Sequence, residues 1–289
     1  MIRQLVPAIV SALIVVTAAC SSDDASTTEP SAVAPTITTS PPVEFELPGD
    51  PDAVVLQLDS GVNQPDPLAV AAGYAIFTVY ADGRLIVRDP DVESGALPPL
   101  VAARLAPEGV KALVELAISS GALDPLDSYG SPPIADADGL GFVVATADQR
   151  SEFGVYALGS ESNAGDELTE QQLAARLELR DLRDALLGWE ETVSEHVVEP
   201  PTLYAGETML VIARPSLEDI AAAGFPFDMV ATGTVYENRV GSVFCAEFVV
   251  ADSPGLVDLV TADDAPATWD FEFRQSLPHE QGCDILPEQ

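Results

Sequence analysis

Residues 76 to 87 read Ile76-Phe77-Thr78-Val79-Tyr80-Ala81-Asp82-Gly83-Arg84-Leu85-Ile86-Val87, and the fold class turns on them. Two short runs rich in β-branched and aromatic residues flank Asp82-Gly83, a pair that readily takes the positive φ values of a tight primed turn. The stretch predicts a β-hairpin. Just upstream, Ala53-Val54-Val55-Leu56-Gln57-Leu58-Asp59 predicts a half-buried strand with Val54, Leu56 and Leu58 on one face.

Downstream of Leu97-Pro98-Pro99 the period changes. Val110, Leu113, Val114, Ala117 and Ile118 recur at helical spacing, with Pro107 in the first turn and Gly121 past the end, which predicts an amphipathic helix over 107–120. A second hairpin is expected from Phe142–Thr146 through Asp148-Gln149-Arg150 to Phe153–Ala157. Thr169-Glu170-Gln171-Gln172 then has capping-box spacing, and Leu173, Leu177, Leu182 and Leu186 continue a helix that stops at Gly188.

This order predicts an α+β fold: antiparallel hairpins with helices packed on one face, in two successive units. The first unit is expected to run from 48 to 189. Acidic residues and Pro200-Pro201 mark 190–203 as a hinge, and a smaller second unit fills 204–289. In that unit Thr208–Ala213, Ser242–Val249 and Thr268–Arg274 read as strands, and Ser253-Pro254 opens a short helix through Leu256, Val257, Leu259 and Val260. No tandem repeat occurs.

The chain has 289 residues, with 12 Lys plus Arg against 47 Asp plus Glu, a formal net charge of −35. A hydrophobic fraction of 47% with 20% charged residues is too apolar for a disordered chain, so a folded core is expected. Nucleic-acid binding needs clustered cations. The single lysine, Lys111, and the scattered arginines exclude it as a main role. Carboxylates are spread through every segment, which fits a solvated surface better than a focused acidic cleft.

At the N-terminus, Arg3 precedes an apolar run from Leu5 to Ala19 that is shorter than the ~20 residues of a spanning helix and ends in small residues. Residues 1–19 are expected to be an export signal. Thr17-Ala18-Ala19-Cys20 resembles the lipobox of bacterial lipoproteins, apart from Thr17 where Leu, Val or Ile is usual. That resemblance implies cleavage before Cys20, acylation of its thiol, and anchoring on the extracytoplasmic face of the cell membrane; two acyl chains would supply the two-signal attachment one chain lacks. An ordinary secretory signal with an incidental cysteine is the alternative. Residues 20–47, rich in Ser, Thr, Pro and acid, are expected to form a disordered tether.

Two cysteines remain, Cys245 and Cys283. In an oxidising compartment a disulfide is the simplest reading; a two-cysteine metal site, with His279 as its one nearby imidazole, is the alternative.

From Ala53 to Cys283 the chain resembles uncharacterised secreted or lipid-anchored proteins of actinobacteria. The resemblance is carried by Phe77–Val87, Leu105-Ala-Pro-Glu-Gly-Val-Lys-Ala-Leu113, Ser128-Tyr129-Gly130 with Ala135-Asp136, Val155-Tyr156-Ala157-Leu158-Gly159, and the two late cysteines. It implies a shared fold and no particular activity.

Chemistry-bearing residues are sparse. His196 and His279 both fall in expected loops, and neither Ser194 nor Ser216 lies in a Gly-x-Ser-x-Gly elbow, so no catalytic residue is assigned. Lys111 sits in a helix as a boundary residue. Asp136-Ala137-Asp138-Gly139 looks like the opening of an EF-hand loop, yet position twelve is Ala147, so no metal site is assigned. Asp50-Pro51-Asp52 and Asp263-Asp264 read as turn residues. Tyr129 and Tyr156 read as core or rim aromatics that would otherwise line a pocket. With no phosphate-cradling glycine loop, no cofactor is expected.

The expectation is a non-catalytic envelope module that binds a protein or small ligand. A hydrolase using carboxylates or a divalent cation is the alternative. A protease inhibitor presenting Pro278–Cys283 as a rigid exposed loop is the third reading.

Overall fold

The computed structural model describes residues 44–60, 73, 75–88, 99–213, 233–238, 241–253, 255 and 271–285. The described residues all belong to one compact unit, Val43–Gln289. The export signal, Cys20 and most of the tether lie outside the described residues, as do Ser216, Asp263-Asp264 and the helix expected after Pro254.

The opening hairpin forms as β2 (Ala75–Tyr80) and β3 (Arg84–Arg88), with β1 (Val54–Ser60) antiparallel on its other side. Its turn differs from the primed form. Gly83 N donates to Tyr80 O at 3.0 Å, and of the three loop residues only Gly83 takes a positive φ, +92°. That is a three-residue loop with a left-handed glycine at its close. A side chain at Gly83 would collide with the carbonyl oxygen of Leu105 on the next strand, so close packing as well as φ requires glycine.

β4 (Leu100–Leu105) pairs with β3, and β5 (Gly139–Ala145) and β6 (Arg150–Tyr156) add the second hairpin beside β1. Residues 190–203 are not a hinge. They form α3 (Trp189–Thr192), a one-turn 3-10 helix (Ser194–His196) and a seventh strand, β7 (Val197–Leu203), antiparallel to β4. The prolines are tolerated because β7 is an edge strand. Between the pairs Ala102↔Thr202 and Arg104↔Glu199 it carries one extra residue, a bulge at Pro200-Pro201. The sheet order is β6-β5-β1-β2-β3-β4-β7.

One face is covered by α1 (Pro107–Ser119) and α2 (Glu170–Leu187). α2 starts at the expected capping box, in which Thr169 Oγ1 accepts from Gln172 N at 3.2 Å. Leu56, Leu58, Phe77, Val79, Leu85, Leu105, Phe142 and Val144 meet Val110, Leu113, Val114, Leu179, Leu182 and Leu186 in the main core. Phe45 and Leu47 also pack against it, so the folded body begins within the stretch assigned to the tether.

Val54 does not share this face. Between Val54↔Tyr80 and Leu56↔Val79 β1 carries an extra residue, so Val55 and Leu56 both join the helix-side core while Val54 turns to the opposite face.

A second sheet, ordered β11-β8-β10-β9, comprises β8 (Thr208–Ala213), β9 (Gly233–Asn238), β10 (Gly241–Val249) and β11 (Phe271–Gln275). A disulfide joins Cys245 on β10 to Cys283, with Cα atoms 5.9 Å apart.

Among the described residues Arg176 is the largest fully buried side chain. From α2 it donates to Glu161 Oε1 at 3.1 Å, to Tyr156 O at 3.0 Å and to Ala157 O at 2.7 Å. It therefore ties the helix to the loop after β6, where Ala157 holds a positive φ. Removing one partner of a buried pair strands the other charge. Arg176→Ala should cost about 3–5 kcal/mol in urea unfolding, and the Glu161→Gln, Arg176→Met double variant distinctly less. A cost below about 1 kcal/mol, the range of a surface pair, would contradict this role.

Candidate functional site on the second face of the large sheet

Side chains alternate along a strand, so the sheet's second face is defined by the residues between those of the main core. Register sets them in rows. Gln57 on β1 faces Val143 on β5, which faces Glu152 on β6; the next row is Asp59, Gly141 and Gly154. Thr78, Ile86 and Ala102 continue the first row across β2, β3 and β4.

Part of this face is apolar and closed by later chain. Val54, Tyr80, Ile86, Leu100 and Val143 form a second buried cluster with Leu277, and Tyr204 and Ala102 pack on it. Leu277 belongs to a loop that leaves the small sheet after Gln275 and returns to it at the Cys283 disulfide. The loop is fixed at its base: Ser276 N donates to Thr208 O at 2.9 Å, and Tyr204 hydroxyl to Ser276 O at 2.8 Å.

At the loop's tip, polar groups meet the sheet. The Tyr80 hydroxyl and His279 Nδ1 lie 2.8 Å apart, with the rings tilted and 5.6 Å between centroids. Glu280 forms an ion pair with Arg274 on β11 and accepts from Leu277 N at 2.7 Å. Both members of that pair are buried, and Arg274 also donates to Gly73 O at 2.5 Å. Burial raises Tyr80 above the ordinary phenol range and pushes Tyr204 to about 12, and the Glu280 charge adds to both. Burial also raises Glu280 itself, against the pull of Arg274. His279 is lowered to about 4 by burial and by the Arg274 and Arg150 cations.

Beside this joint, towards the β6 edge, the face stays open. A cavity of about 310 Å³ is lined by Asp59, Gly141, Phe142, Val143, Glu152, Phe153 and Gly154. Its floor is bare because Gly141 and Gly154 pair directly across β5 and β6 and contribute no side chain. On the opposite face Phe142 stacks on Phe153 at 5.3 Å and Phe153 on Tyr129 at 5.5 Å, which stiffens the backbone beneath the glycines. Asp59 is half-buried at one wall. It accepts from Gln57 Nε2 at 3.1 Å, and burial raises its carboxyl while that bond and the nearby Arg274 lower it. Glu152 stands exposed at the rim, 3.5 Å from Arg150.

Apart from His279, the described residues singled out by sequence are placed elsewhere. His196 packs against the start of α1, where a Cβ on Gly109 would lie 2.6 Å from the His196 Cβ, and its carbonyl accepts from Ala106 N at 2.8 Å. Lys111 is exposed on α1. Tyr129 is buried in the core. Tyr156 hydroxyl donates to Ile134 O at 2.5 Å and accepts from Ala137 N at 3.2 Å, so the half EF-hand motif is a loop closed around a phenol. Asp50 caps a turn by accepting from Asp52 N at 3.0 Å, and Asp52 pairs with Arg84. Among the described residues no group of three or more His, Cys, Asp or Glu is placed to hold a metal ion. Within Pro278–Cys283, Glu280 and Cys283 are buried in the joint, so these residues are not the free-standing loop an inhibitor would present.

Neither a family profile nor a curated protein nor a solved structure matches this chain.

The shifted groups fix a pH signature. Because folded His279 titrates below its ordinary 6.5, the unfolded chain binds the proton first on acidification, so this residue removes stability between pH 6.5 and about 4. Asp59 and Glu280 act oppositely. Their raised carboxyls cost stability above their ordinary values of 3.8 and 4.5, and that cost fades as the pH falls through the folded pKa. His279→Asn, which keeps an acceptor near Nδ1 without a titrating ring, should therefore lose less melting temperature than the parent over the His279 window. Parallel melting curves against pH would contradict the lowering of His279.

Proposed function

We propose that this protein is a lipid-anchored module of the extracytoplasmic membrane face that works by binding and not by catalysis. The N-terminal sequence carries the anchoring part: a short apolar run ends in Ala18-Ala19-Cys20, and a Ser, Thr and Pro-rich stretch follows. The bridge between Cys245 and Cys283 is compatible with an oxidising compartment. Among the described residues no helix is long and apolar enough to cross a membrane. The resemblance to lipid-anchored actinobacterial proteins points the same way.

Binding is favoured over covalent chemistry by what surrounds the few reactive groups. His279 Nδ1 is engaged by Tyr80, His196 by helix packing, and both late cysteines by each other. Among the described residues, the open cavity with its two carboxylates offers a place for a ligand. The hydrolase reading draws on the same pair, a raised Asp59 as acid and an exposed Glu152 as base.

Metabolic labelling with palmitate tests the anchor. The parent should incorporate label and stay with membranes, whereas Cys20→Ser should lose both. An unlabelled parent, or label that persists in Cys20→Ser, would refute acylation at this residue.

A further inference from the structure

We propose that the cavity between Asp59 and Glu152 is a binding site for a small alkylammonium ion, with the ammonium group against Asp59 and its short apolar stem along Val143 and the Gly141–Gly154 floor. This rests on the reading of the chain as a binding module, but not on the lipid anchor.

The cavity itself is the first ground. At about 310 Å³ it lies at the small end of ligand sites, so it suits a compact molecule. Its floor is built by register: the Asp59–Gly141–Gly154 row places one carboxylate beside two adjacent strands without side chains. Glycine weakens a strand interior, and its use where another group approaches the backbone closely is the recurrent exception. Neither Gly141 nor Gly154 has a positive φ, so backbone conformation does not require glycine at either place. What the pair provides is a stretch of cavity lining without side chains.

Charge and polarity select the ligand. The carboxylates of Asp59, Glu152 and Glu280 face the cations of Arg274 and Arg150 around this corner, an excess of one negative charge. Arg274 is held by Glu280 and Arg150 lies beside Glu152, whereas among the described residues Asp59 receives a single side-chain hydrogen bond, from Gln57. A carboxylate accepts several, so Asp59 has capacity for a charged donor. A hard metal ion would demand more oxygen ligands than one wall carboxylate and one rim carboxylate supply. The Val143 wall and glycine floor instead match an organic cation with carbon behind its charge.

The test is amide chemical-shift titration of the 15N-labelled full chain in detergent, with n-butylammonium as probe and n-butanol and calcium as controls. Shifts of Gly141, Val143 and Gly154 should saturate with a roughly millimolar Kd, as expected for so few atoms, and persist at roughly 150 mM salt, where exposed charges are screened. Asp59→Asn should weaken binding roughly tenfold or more. Gly154→Val, which fills the floor on an edge strand and leaves both carboxylates in place, should abolish it with the remaining spectrum unchanged. Equal binding of butanol, the same shifts with calcium, undiminished affinity in both variants, or no saturation would each overturn the proposal. Palmitate labelling is read separately, so a failed anchor and a failed cavity cannot be confused.

Discussion

A sheet of seven strands has two faces, and the described helices α1 and α2 pack on one of them. That constraint organises the rest. Val54, Tyr80, Ile86, Leu100 and Val143 point away from α1 and α2 and need cover of their own. Buried apolar area stabilises by roughly 25 cal/mol per Å², and a face left bare would be an association hazard. The cover comes from far along the chain, through Leu277 and Tyr204. The small sheet is the base from which that loop reaches, and the Cys245–Cys283 bridge returns the loop to its base.

The joint is mixed in character. Leu277 provides apolar contact, while His279 and Glu280 bring polar groups that must be satisfied where they land. Tyr80 meets the imidazole and Arg274 meets the carboxylate. A buried pair of this kind adds little net stability over an apolar replacement, yet breaking it by removing one member is costly. Its contribution is therefore to position: the tip seats where Tyr80 and Arg274 are, and among the described residues it does not close the cavity beside Asp59.

Much of the large sheet was legible in sequence because its strands alternate and its helices carry clear ends. The hairpin around Asp82-Gly83, both long helices and the capping box at Thr169 stand where pattern predicts. β4 was not legible: Leu-Val-Ala-Ala-Arg-Leu is short, half alanine or charged residues, and hidden between prolines and a helix start. Nor was β7, whose two prolines and acidic neighbours read as a linker; only an edge position with a bulge makes them tolerable. Val54 departs from the alternation of Leu56 and Leu58 because a bulge follows it, and no local pattern announces one.

The candidate site was less legible still. Tyr80 and His279 are 199 residues apart, and neither sits in a motif that names the other. Asp59, Gly141 and Gly154 become neighbours only through strand register, so a search for paired carboxylates or ligand spacings passes over them. The cover of the second face is the claim on which this account depends most. Proton–proton Overhauser contacts between the Tyr80 and His279 rings, and from Leu277 methyls to Ile86 or Val143, test it directly. The account predicts both sets; their absence from a spectrum that retains the β1–β2 cross-strand contacts would contradict it.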